Sequence, residues 1–365
     1  MSQKSSTPFF SIEGRKIGFG YPTYFIADIA ANHNGSLKKA MRLIELAKKN
    51  GADAAKFQHF RADKIVSRYG FDSMSKKISH QAKWGKSVYQ VYQEASVPWK
   101  WTPELARHCH QVGIHFFSAP YDLEAIDMLD NHMFAYKVGS GDLNWLESVL
   151  RMASKGKPVF LATGASTMEE VRRAVKAIAR VNPKICVMQC NTNYTGSPKN
   201  FAHINLNVLK VYAQEFPRAV LGLSDHTSGH ATVLGAVTLG ARAVEKHFTD
   251  NRTQVGPDHA FSMSPGDWKE MVERVRELEL ALGTGKKKVE ANENETVLIQ
   301  RRCLRAARDL DKGEILREED IDVLRPALPG AFVPDDRPRL LNKRIRRAMV
   351  KGEAFKPGHI QRGVF

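Results

Sequence analysis

A chain of 365 residues, 42% of them hydrophobic, is long enough for one large domain and a smaller one. It has no apolar run near the ~20 residues of a membrane helix and no secretory signal at its start, so we expect a cytoplasmic protein without a membrane partner. The formal net charge of +16 permits nucleic-acid binding, but lysine and arginine are scattered and no zinc-finger or RNP-type motif accompanies them, so we expect no nucleic-acid partner.

One pattern repeats between residues 24 and 283: a short apolar run, a polar turn and a helical stretch. The apolar runs are 24–30, 54–60, 115–121, 135–140, 158–162, 185–189, 219–223 and 243–247. Buried parallel strands have continuous apolar sequences, and each needs a crossover to the next. The pattern therefore predicts an α/β fold, a (β/α)₈ TIM barrel. A doubly wound open sheet would have fewer strands and a glycine fingerprint after the first one.

The regular spacing is interrupted once, because residues 61–100 form an insertion between the second strand and its helix. Long loops after the strands of such barrels often cover the active site, and we expect this one to do so.

The sequence changes character after residue 283. Residues 284–297 are polar and charged without periodicity, which predicts a linker between a barrel domain over 10–283 and a second domain over 298–365. Short strand-like pieces at 303–307, 321–324 and 345–350 alternate with turn-forming residues, so the second domain is predicted to be β-rich. The near-copies DKGEIL (311–316) and VKGEAF (350–355) predict two related turns.

Polar residues stand at the ends of the predicted strands, where the active site of a TIM barrel lies. They are Asp28 after the first strand, Lys56 and Gln58 in the second, Lys137, Ser140 and Asp142 at the fourth, Thr163 at the fifth, Thr192 and Tyr194 at the sixth, Ser224 and His226 at the seventh, and Glu245 and His247 at the eighth. Each alone has an ordinary structural explanation. Because the predicted fold places all of them at the same rim of the barrel, they predict a functional site there.

The residue types indicate an anion site beside a metal site. Cations and short hydroxyl donors suit a phosphate; they are Lys56, Lys137, Ser140, Thr163, Thr192 and Ser224. His226 and His247 end neighbouring strands, so their imidazoles can share one divalent ion that keeps open positions for water and substrate. Carboxylates for proton transfer or for binding sugar hydroxyls come from Asp28, Asp142, Glu245 and Asp258.

Eight short motifs lie at or near these strand ends. They are NHNG (32–35), KFQ (56–58), YKVGSGD (136–142), ATGAS (162–166), QCNTNY (189–194), LSDHTSGH (223–230), EKHFTD (245–250) and VGPDHAFS (255–262). In this order they resemble the N-acetylneuraminate (sialic acid) synthase family. Residues 300–326 are similar to that family's C-terminal antifreeze-like (SAF) domain.

The resemblance implies a condensation of phosphoenolpyruvate with an N-acetylated amino-sugar aldehyde, which gives a nine-carbon 2-keto acid and phosphate. The sugar is left open between N-acetylmannosamine and a diacetamido-trideoxy hexose. The resemblance further implies a domain-swapped homodimer and a divalent metal on His226 and His247, with Mn²⁺ as first choice and Mg²⁺ or Co²⁺ as alternatives. By position, Lys56, Lys137, Ser140 and Ser224 match phosphoenolpyruvate contacts, Gln58, Tyr194 and Asp258 match sugar contacts, and Arg325 matches an arginine that reaches into the partner's active site.

The chain departs from the common family pattern at four positions. The family usually has glutamate where Asp28 and Asp142 stand, and a hydroxyl residue where Ala119 and Ala162 stand. Each missing hydroxyl removes a donor near the phosphate, worth about 1 kcal/mol. The shorter carboxylates leave the sugar's identity open.

Three alternatives remain at this point. A related phosphoenolpyruvate-dependent sugar-phosphate synthase would need a second cationic cluster, and the predicted rim offers none. A non-catalytic carbohydrate-binding barrel would not need both histidines and both lysines. Ice binding by the second domain needs a weakly charged face, whereas residues 298–365 are rich in arginine and lysine.

Overall fold

The structure is a computed structural model that describes residues 7–74, 81 and 84–361. It contains two compact units, one ending at Gly283 and the other beginning at Thr284. The domain boundaries of the sequence analysis stay predictions, and their parts at 75–80, 82–83 and 362–365 lie outside the described residues.

The first unit opens with an antiparallel hairpin that the sequence analysis did not predict. It consists of β1 (Phe9–Ile12) and β2 (Arg15–Gly18). Phe10, Ile12 and Ile17 join the apolar cluster inside the barrel, and the Phe10 ring meets the Phe160 ring edge-on at 5.6 Å. The hairpin thereby closes the end of the barrel opposite the predicted site.

Eight parallel strands form a closed barrel in the described part of this unit, which confirms the predicted TIM fold. They are β3 (Tyr24–Asp28), β4 (Ala54–His59), β5 (His115–Pro120), β6 (Tyr136–Val138), β7 (Val159–Ala162), β8 (Ile185–Cys190), β9 (Val220–Asp225) and β10 (Ala243–His247). Strand β10 pairs with both β9 and β3, which closes the ring.

Helices follow the strands, and most of them cover the outside of the barrel. They are α1 (Leu37–Lys49), α2 (Ala62–Ile65), α3 (Arg68–Asp72), α4 (Val88–Ala95), α5 (Thr102–Val112), α6 (Leu123–Leu129), α7 (Leu146–Ser154), α8 (Met168–Ala179), α9 (Val208–Glu215), α10 (Ala231–Thr238) and α11 (Pro265–Ala281). Ser36 caps α1, since its side chain accepts a hydrogen bond from the Lys39 amide. Helices α2, α3 and α4 belong to the insertion over 61–100.

Side chains on each barrel strand alternate between the helices and the interior. The interior carries an apolar cluster that includes Tyr24, Ile26, Ala54 and Ala243. The next inward positions on the same three strands are Asp28, Lys56 and Glu245, all of them buried. Two-residue periodicity thus places a polar layer on top of the apolar one, at the carboxyl ends of the strands.

The second unit has α12 (Asn294–Gln300), β11 (Cys303–Ala306), β12 (Ile321–Leu324) and α13 (Arg337–Leu340). Strands β11 and β12 pair antiparallel. The predicted strand at 345–350 is wrong, because Ile345 and Met349 make only isolated bridges, to Ile360 and Leu310. Their side chains are nevertheless buried in this unit's core. Helix α12 begins within the segment that we predicted as a linker.

The two related turns of this unit have the same construction. Gly313 and Gly352 have φ angles of 93° and 82°, a left-handed conformation that glycine adopts without strain. The glutamate after each glycine pairs with an arginine six residues away, Glu314 with Arg308 and Glu353 with Arg347.

None of the helices in the described part of the chain combines the length and the apolarity that a membrane crossing requires.

Candidate active site

Two lysines and two carboxylates form a buried cluster at the carboxyl ends of the barrel strands. Lys56 Nζ lies 2.7 Å from Asp28 Oδ2 and 3.4 Å from Glu245 Oε1. Lys137 Nζ lies 3.3 Å from the same Glu245 oxygen, which also accepts a hydrogen bond from the Ser224 hydroxyl at 3.3 Å. The barrel therefore brings together five of the residues singled out from the sequence.

Lys56 and Glu245 hold each other in the ionised form, whereas burial raises the pKa of Asp28 despite the neighbouring Lys56. Burial alone raises the pKa of Glu245, but Lys137 and Lys56 outweigh it and the pKa falls to about 2. Burial alone lowers the pKa of Lys56, but Asp28 and Glu245 outweigh it and the pKa is raised. The second oxygen of Glu245, Oε2, is buried without a hydrogen-bond partner. The cluster thus presents fixed ammonium groups and an unsatisfied acceptor below the rim.

His226 and His247 lie side by side, with their ring centroids 5.4 Å apart. His226 Nδ1 lies 2.8 Å from the Asn191 carbonyl, so this nitrogen carries the proton and Nε2 keeps its lone pair. Burial lowers the pKa of both histidines to about 3, helped at His226 by His247 and at His247 by Lys56. Both imidazoles are therefore neutral at physiological pH.

These two imidazoles fit a divalent metal, because neutral nitrogen lone pairs are what such an ion binds. His247 Nδ1 is buried without a hydrogen-bond partner and lies 4.0 Å from Asp258 Oδ2, while Nε2 lies 3.4 Å from Asp28 Oδ2. The described residues contain no group of three or more histidine, cysteine or acidic side chains arranged to hold a metal. Two protein ligands would leave most coordination positions to water and substrate.

A cavity of about 320 Å³ opens above these groups. Residues at the strand ends, together with Asp258 from the loop after β10, line part of it, namely Gln58, Ser140, Asp142, Tyr194 and His247. The other side comes from the insertion and its neighbours, namely Phe60, Ile65, Trp84, Val91, Tyr92, Ala95 and Tyr121. The described part of the insertion therefore covers the strand ends, as its position in the sequence predicts.

Two carboxyl groups in the cavity titrate near neutral pH. Burial raises the pKa of Asp142 to about 6, against the lowering effect of Lys137. Burial also raises the pKa of Asp258 to about 7, although its Oδ2 accepts a hydrogen bond from the Ala31 amide at 3.1 Å. Groups with such pKa values can both take up and release a proton at physiological pH. Below them, Gln58 Nε2 donates to Asp28 Oδ2 at 3.1 Å.

Ser140 and Thr192 lie beside Gly164 at the ends of three neighbouring strands. The Gly164 amide donates to Ser140 Oγ at 3.0 Å. A Cβ atom at Gly164 would stand 2.6 Å from Thr192 Cγ2, so only glycine permits this close approach. Backbone and hydroxyl groups of the residues that follow β6, β7 and β8 therefore lie close together at the rim.

The structure places Thr163 differently from our expectation. Its hydroxyl donates to the Met188 carbonyl at 2.9 Å and accepts from the Tyr212 hydroxyl at 2.9 Å. Because a threonine hydroxyl has one proton, none is left for a phosphate oxygen. In this geometry the Thr163 side chain is a structural link to α9 and not part of an anion site.

Tyr194 and Arg325, two further residues of the predicted site, belong to different units of the structure. The Tyr194 ring contacts the His226 ring at a centroid distance of 4.4 Å and the Phe261 ring at 5.6 Å. Arg325 is an exposed residue of the second unit, directly after β12. Its action in a partner's site stays a prediction.

The sequence analysis missed several cavity residues. Tyr121 directly follows β5, so the strand-end criterion used for the other residues would have found it. Ile65, Val91 and Tyr92 belong to the insertion, and no strand end marks them. Outside the cavity, Asp225 and Lys246, to which the sequence analysis gave no role, form a buried pair next to the histidines.

Comparisons with known proteins agree with this architecture. The NeuB family matches residues 43–287, and the SAF domain matches residues 301–361. The chain is 35% identical over 312 residues to N,N′-diacetyllegionaminic acid synthase of Campylobacter jejuni, covering 84% of this chain and 91% of the relative. It is 31% identical over 333 residues to N-acetylneuraminate-9-phosphate synthase of Homo sapiens, covering 91% of each. The crystal structure of the spore coat polysaccharide biosynthesis protein SpsE of Bacillus subtilis has a TM-score of 0.64 and 28% identity, covering 98% of this chain and 100% of that one.

Proposed function

The chain belongs to the NeuB family, and we propose that it is a nonulosonic (sialic) acid synthase that condenses phosphoenolpyruvate with an N-acetylated amino-sugar aldehyde. The products are a nine-carbon 2-keto acid and phosphate. One observation carries the proposal: Lys56 and Lys137 share Glu245 directly beside two neutral imidazoles. An anionic substrate and a metal-dependent electrophile can therefore meet at one point of the rim.

Lys56 and Lys137 bind phosphoenolpyruvate in this proposal. Their ammonium groups are held in place by Asp28 and Glu245, so little reorganisation is needed when the anion arrives. The hydroxyls of Ser140 and Thr192 lie at neighbouring strand ends and can donate hydrogen bonds to phosphoenolpyruvate. The Ser224 hydroxyl donates to Glu245 and would have to turn away from that oxygen to reach the substrate. The same two ammonium groups offset the charge on the departing phosphate.

His226 and His247 would hold the divalent metal, for which Mn²⁺ is our first choice and Mg²⁺ or Co²⁺ are alternatives. When bound, the metal would act as a Lewis acid on the sugar aldehyde. The chain supports this arrangement through the Asn191 carbonyl, which fixes the proton on His226 Nδ1 and leaves Nε2 free to bind.

The carbon–carbon bond forms between C3 of phosphoenolpyruvate and the aldehyde carbon, and the aldehyde oxygen takes up a proton. Water then adds to C2, and the tetrahedral intermediate loses phosphate to leave the 2-keto acid. We assign Asp142 as the base for this water, because its pKa of about 6 lets it be ionised and still accept a proton. Gln58, Tyr194 and Asp258 bind the sugar in this proposal.

We further propose the features that the resemblance to the family implies. The enzyme would work in the cytoplasm as a domain-swapped homodimer, with Arg325 of one subunit reaching the sugar in the other. The sugar is N-acetylmannosamine or a diacetamido-trideoxy hexose. A non-catalytic carbohydrate-binding barrel is the second candidate, and it predicts sugar binding without turnover of phosphoenolpyruvate.

Phosphate release from phosphoenolpyruvate, measured with Mn²⁺ against a panel of these sugars, tests the proposal. We expect release with at least one sugar and its loss on addition of EDTA. Lys56→Met should abolish release, whereas Lys38→Met, at an exposed position of α1, should not change it. Sugar binding with no release under Mn²⁺, Mg²⁺ or Co²⁺ would favour the non-catalytic alternative.

A further inference from the structure

The loop after β3 holds two carboxylates of the candidate site through its backbone. The Ala30 amide donates to Asp28 Oδ1, and the Ala31 amide donates to Asp258 Oδ2, each at 3.1 Å. Ala30 has a φ angle of 44°, a left-handed conformation that alanine adopts only at a cost in free energy. Contacts with the surrounding structure must therefore hold this loop in shape.

The side chain of Asn32, in the same loop, supplies such a contact. It is completely buried, and its Nδ2 donates to the Phe248 carbonyl and to Ser262 Oγ, both at 2.9 Å. Because a carbonyl oxygen only accepts hydrogen bonds, the Phe248 contact fixes which end of the amide faces β10. Phe248 directly follows His247, so Asn32 joins the loop after β3 to the strand end that carries a proposed metal ligand.

Ser262 extends this connection to Asp258. The Ser262 hydroxyl donates to the Asp258 carbonyl at 2.7 Å. Asp258 is thus held at its carboxylate by the Ala31 amide and at its main chain by Ser262, which Asn32 holds in turn. Asp258 Oδ2 lies 4.0 Å from His247 Nδ1. One buried amide therefore sets the positions of Asp258 and His247 relative to each other.

A second buried asparagine, Asn182, shows how an amide with a structural role is bonded. Its Nδ2 donates to the Ala153 and Lys157 carbonyls at 3.2 Å and 2.7 Å, and its Oδ1 accepts from the Lys184 amide at 3.0 Å. Asn32 Oδ1, in contrast, is buried without a hydrogen-bond partner in the described part of the chain, which costs stability. The position of its two donor bonds, rather than their contribution to stability, therefore explains an asparagine at residue 32.

We infer that Asn32 is a positioning residue, which places Asp258 beside His247 so that the sugar can meet both side chains. The inference rests on the proposed function, in which Asp258 binds the sugar and His247 holds the metal. Asn32 touches neither substrate in this assignment and acts through Ser262 and Asp258. Its loss should therefore weaken the use of the sugar and leave the binding of phosphoenolpyruvate at the lysine cluster unchanged.

Asn32→Leu tests the inference, because leucine is of similar size and has neither the amide donors nor a new charge. Phosphate release with Mn²⁺ is measured with phosphoenolpyruvate and the sugar varied in turn. We expect the KM for the sugar to rise by roughly ten- to a hundredfold, since a misplacement of about 1 Å has effects of this size, while the KM for phosphoenolpyruvate stays unchanged. Asn182→Leu is the matched control, because it removes a buried amide at the amino ends of β7 and β8. It should lower the thermal unfolding temperature and change neither KM.

Ser262→Ala tests the connection between Asn32 and Asp258. It should also raise the KM for the sugar alone, and the double variant should be no worse than the weaker of the two single variants, because both changes break one chain of contacts. Should Asn32→Leu fail to fold, Ser262→Ala carries the test by itself. An unchanged KM for the sugar in the folded variants, an equal rise in both KM values, or multiplying effects in the double variant would overturn the inference and leave the proposed function standing. If the unaltered protein releases no phosphate with any sugar of the panel, the proposed function fails, and the inference fails with it.

Discussion

Lys246 and Asp225 form a buried ion pair between neighbouring strands, directly behind the two histidines. The two residues are opposite each other in the register of β10 and β9, and each side chain is 1% exposed. Asp225 also accepts hydrogen bonds from the Thr227 and Thr232 hydroxyls at 2.9 Å and 2.7 Å. Because side chains alternate along a strand, this pair outside the barrel sets the position of His226 and His247 inside it.

The first prediction concerns this pair. Lys246→Met leaves a buried carboxylate without its counterion, which should lower the free energy of unfolding by about 3–5 kcal/mol. Arg172→Met is the control, because Arg172 and Glu215 form an exposed pair, and exposed ion pairs contribute little to stability. Urea unfolding of both variants measures the difference. Equal losses would show that the buried pair has no special role in holding the strand ends.

The second prediction concerns the histidines. His226→Ala and His247→Ala should each remove Mn²⁺ binding and metal-dependent turnover while the thermal unfolding temperature stays close to that of the unaltered protein. His203→Ala is the matched control, since His203 is an exposed histidine in the same barrel unit. Titration with Mn²⁺, followed by calorimetry, gives a readout independent of activity. Undiminished metal binding in both histidine variants would refute the metal assignment.

The barrel could be predicted because buried parallel strands have a strong local signature. The end of β9 shows the limit of that signature. The apolar run stops at Leu223, yet the strand continues through Ser224 and Asp225. These polar residues stay in a buried strand because Glu245 and Lys246, on the neighbouring strand, satisfy them. A hydrogen-bond or ion-pair partner some twenty positions away along the chain cannot be recognised from the local sequence pattern.

The same reason explains which parts of the site were predicted. Strand ends meet at one rim in any barrel, so the lysine cluster followed from topology. The orientation of the Thr163 side chain could not be predicted from topology, because it depends on the Tyr212 hydroxyl on α9. The contribution of Ile65 and Val91 to the cavity could not be predicted either, because these residues reach the cavity only through the folding of the insertion.

The third prediction concerns the pH dependence of stability through Asp142. Burial raises its pKa from 3.8 to about 6, so the folded protein holds this proton between about pH 4 and pH 6 while the unfolded chain releases it. The stabilisation is therefore complete below about pH 4 and is lost as the pH rises through about 6. Relative to Asp142→Asn, the free energy of unfolding of the unaltered protein should fall across this window and then level off.

Urea unfolding of the metal-free protein at several pH values from 4 to 8 measures this difference. Asp63→Asn is the control for loss of an aspartate, because Asp63 is an exposed residue of the same unit. A constant difference for Asp142→Asn across this pH range would mean that the Asp142 carboxyl has no raised pKa in the folded protein.

The fourth prediction concerns the close approach at Gly164. In Gly164→Ala the new Cβ would lie 2.6 Å from Thr192 Cγ2 and 3.0 Å from Ser140 Oγ, so the ends of β6, β7 or β8 must move. Overpacking of this kind typically costs about 1–3 kcal/mol of stability. Since Ser140 and Thr192 belong to the proposed phosphoenolpyruvate site, the KM for phosphoenolpyruvate should rise severalfold more than the KM for the sugar.

Gly266→Ala is the control for this substitution. Gly266 lies in the first turn of α11, and a Cβ there would meet nothing within 4 Å. Alanine favours a helix over glycine, so this variant should be as stable as the unaltered protein or slightly more stable. Steady-state kinetics with each substrate varied in turn separate the two KM values. An equal rise in both KM values for Gly164→Ala would point to a general loosening of the rim and against a local anion site at Ser140 and Thr192.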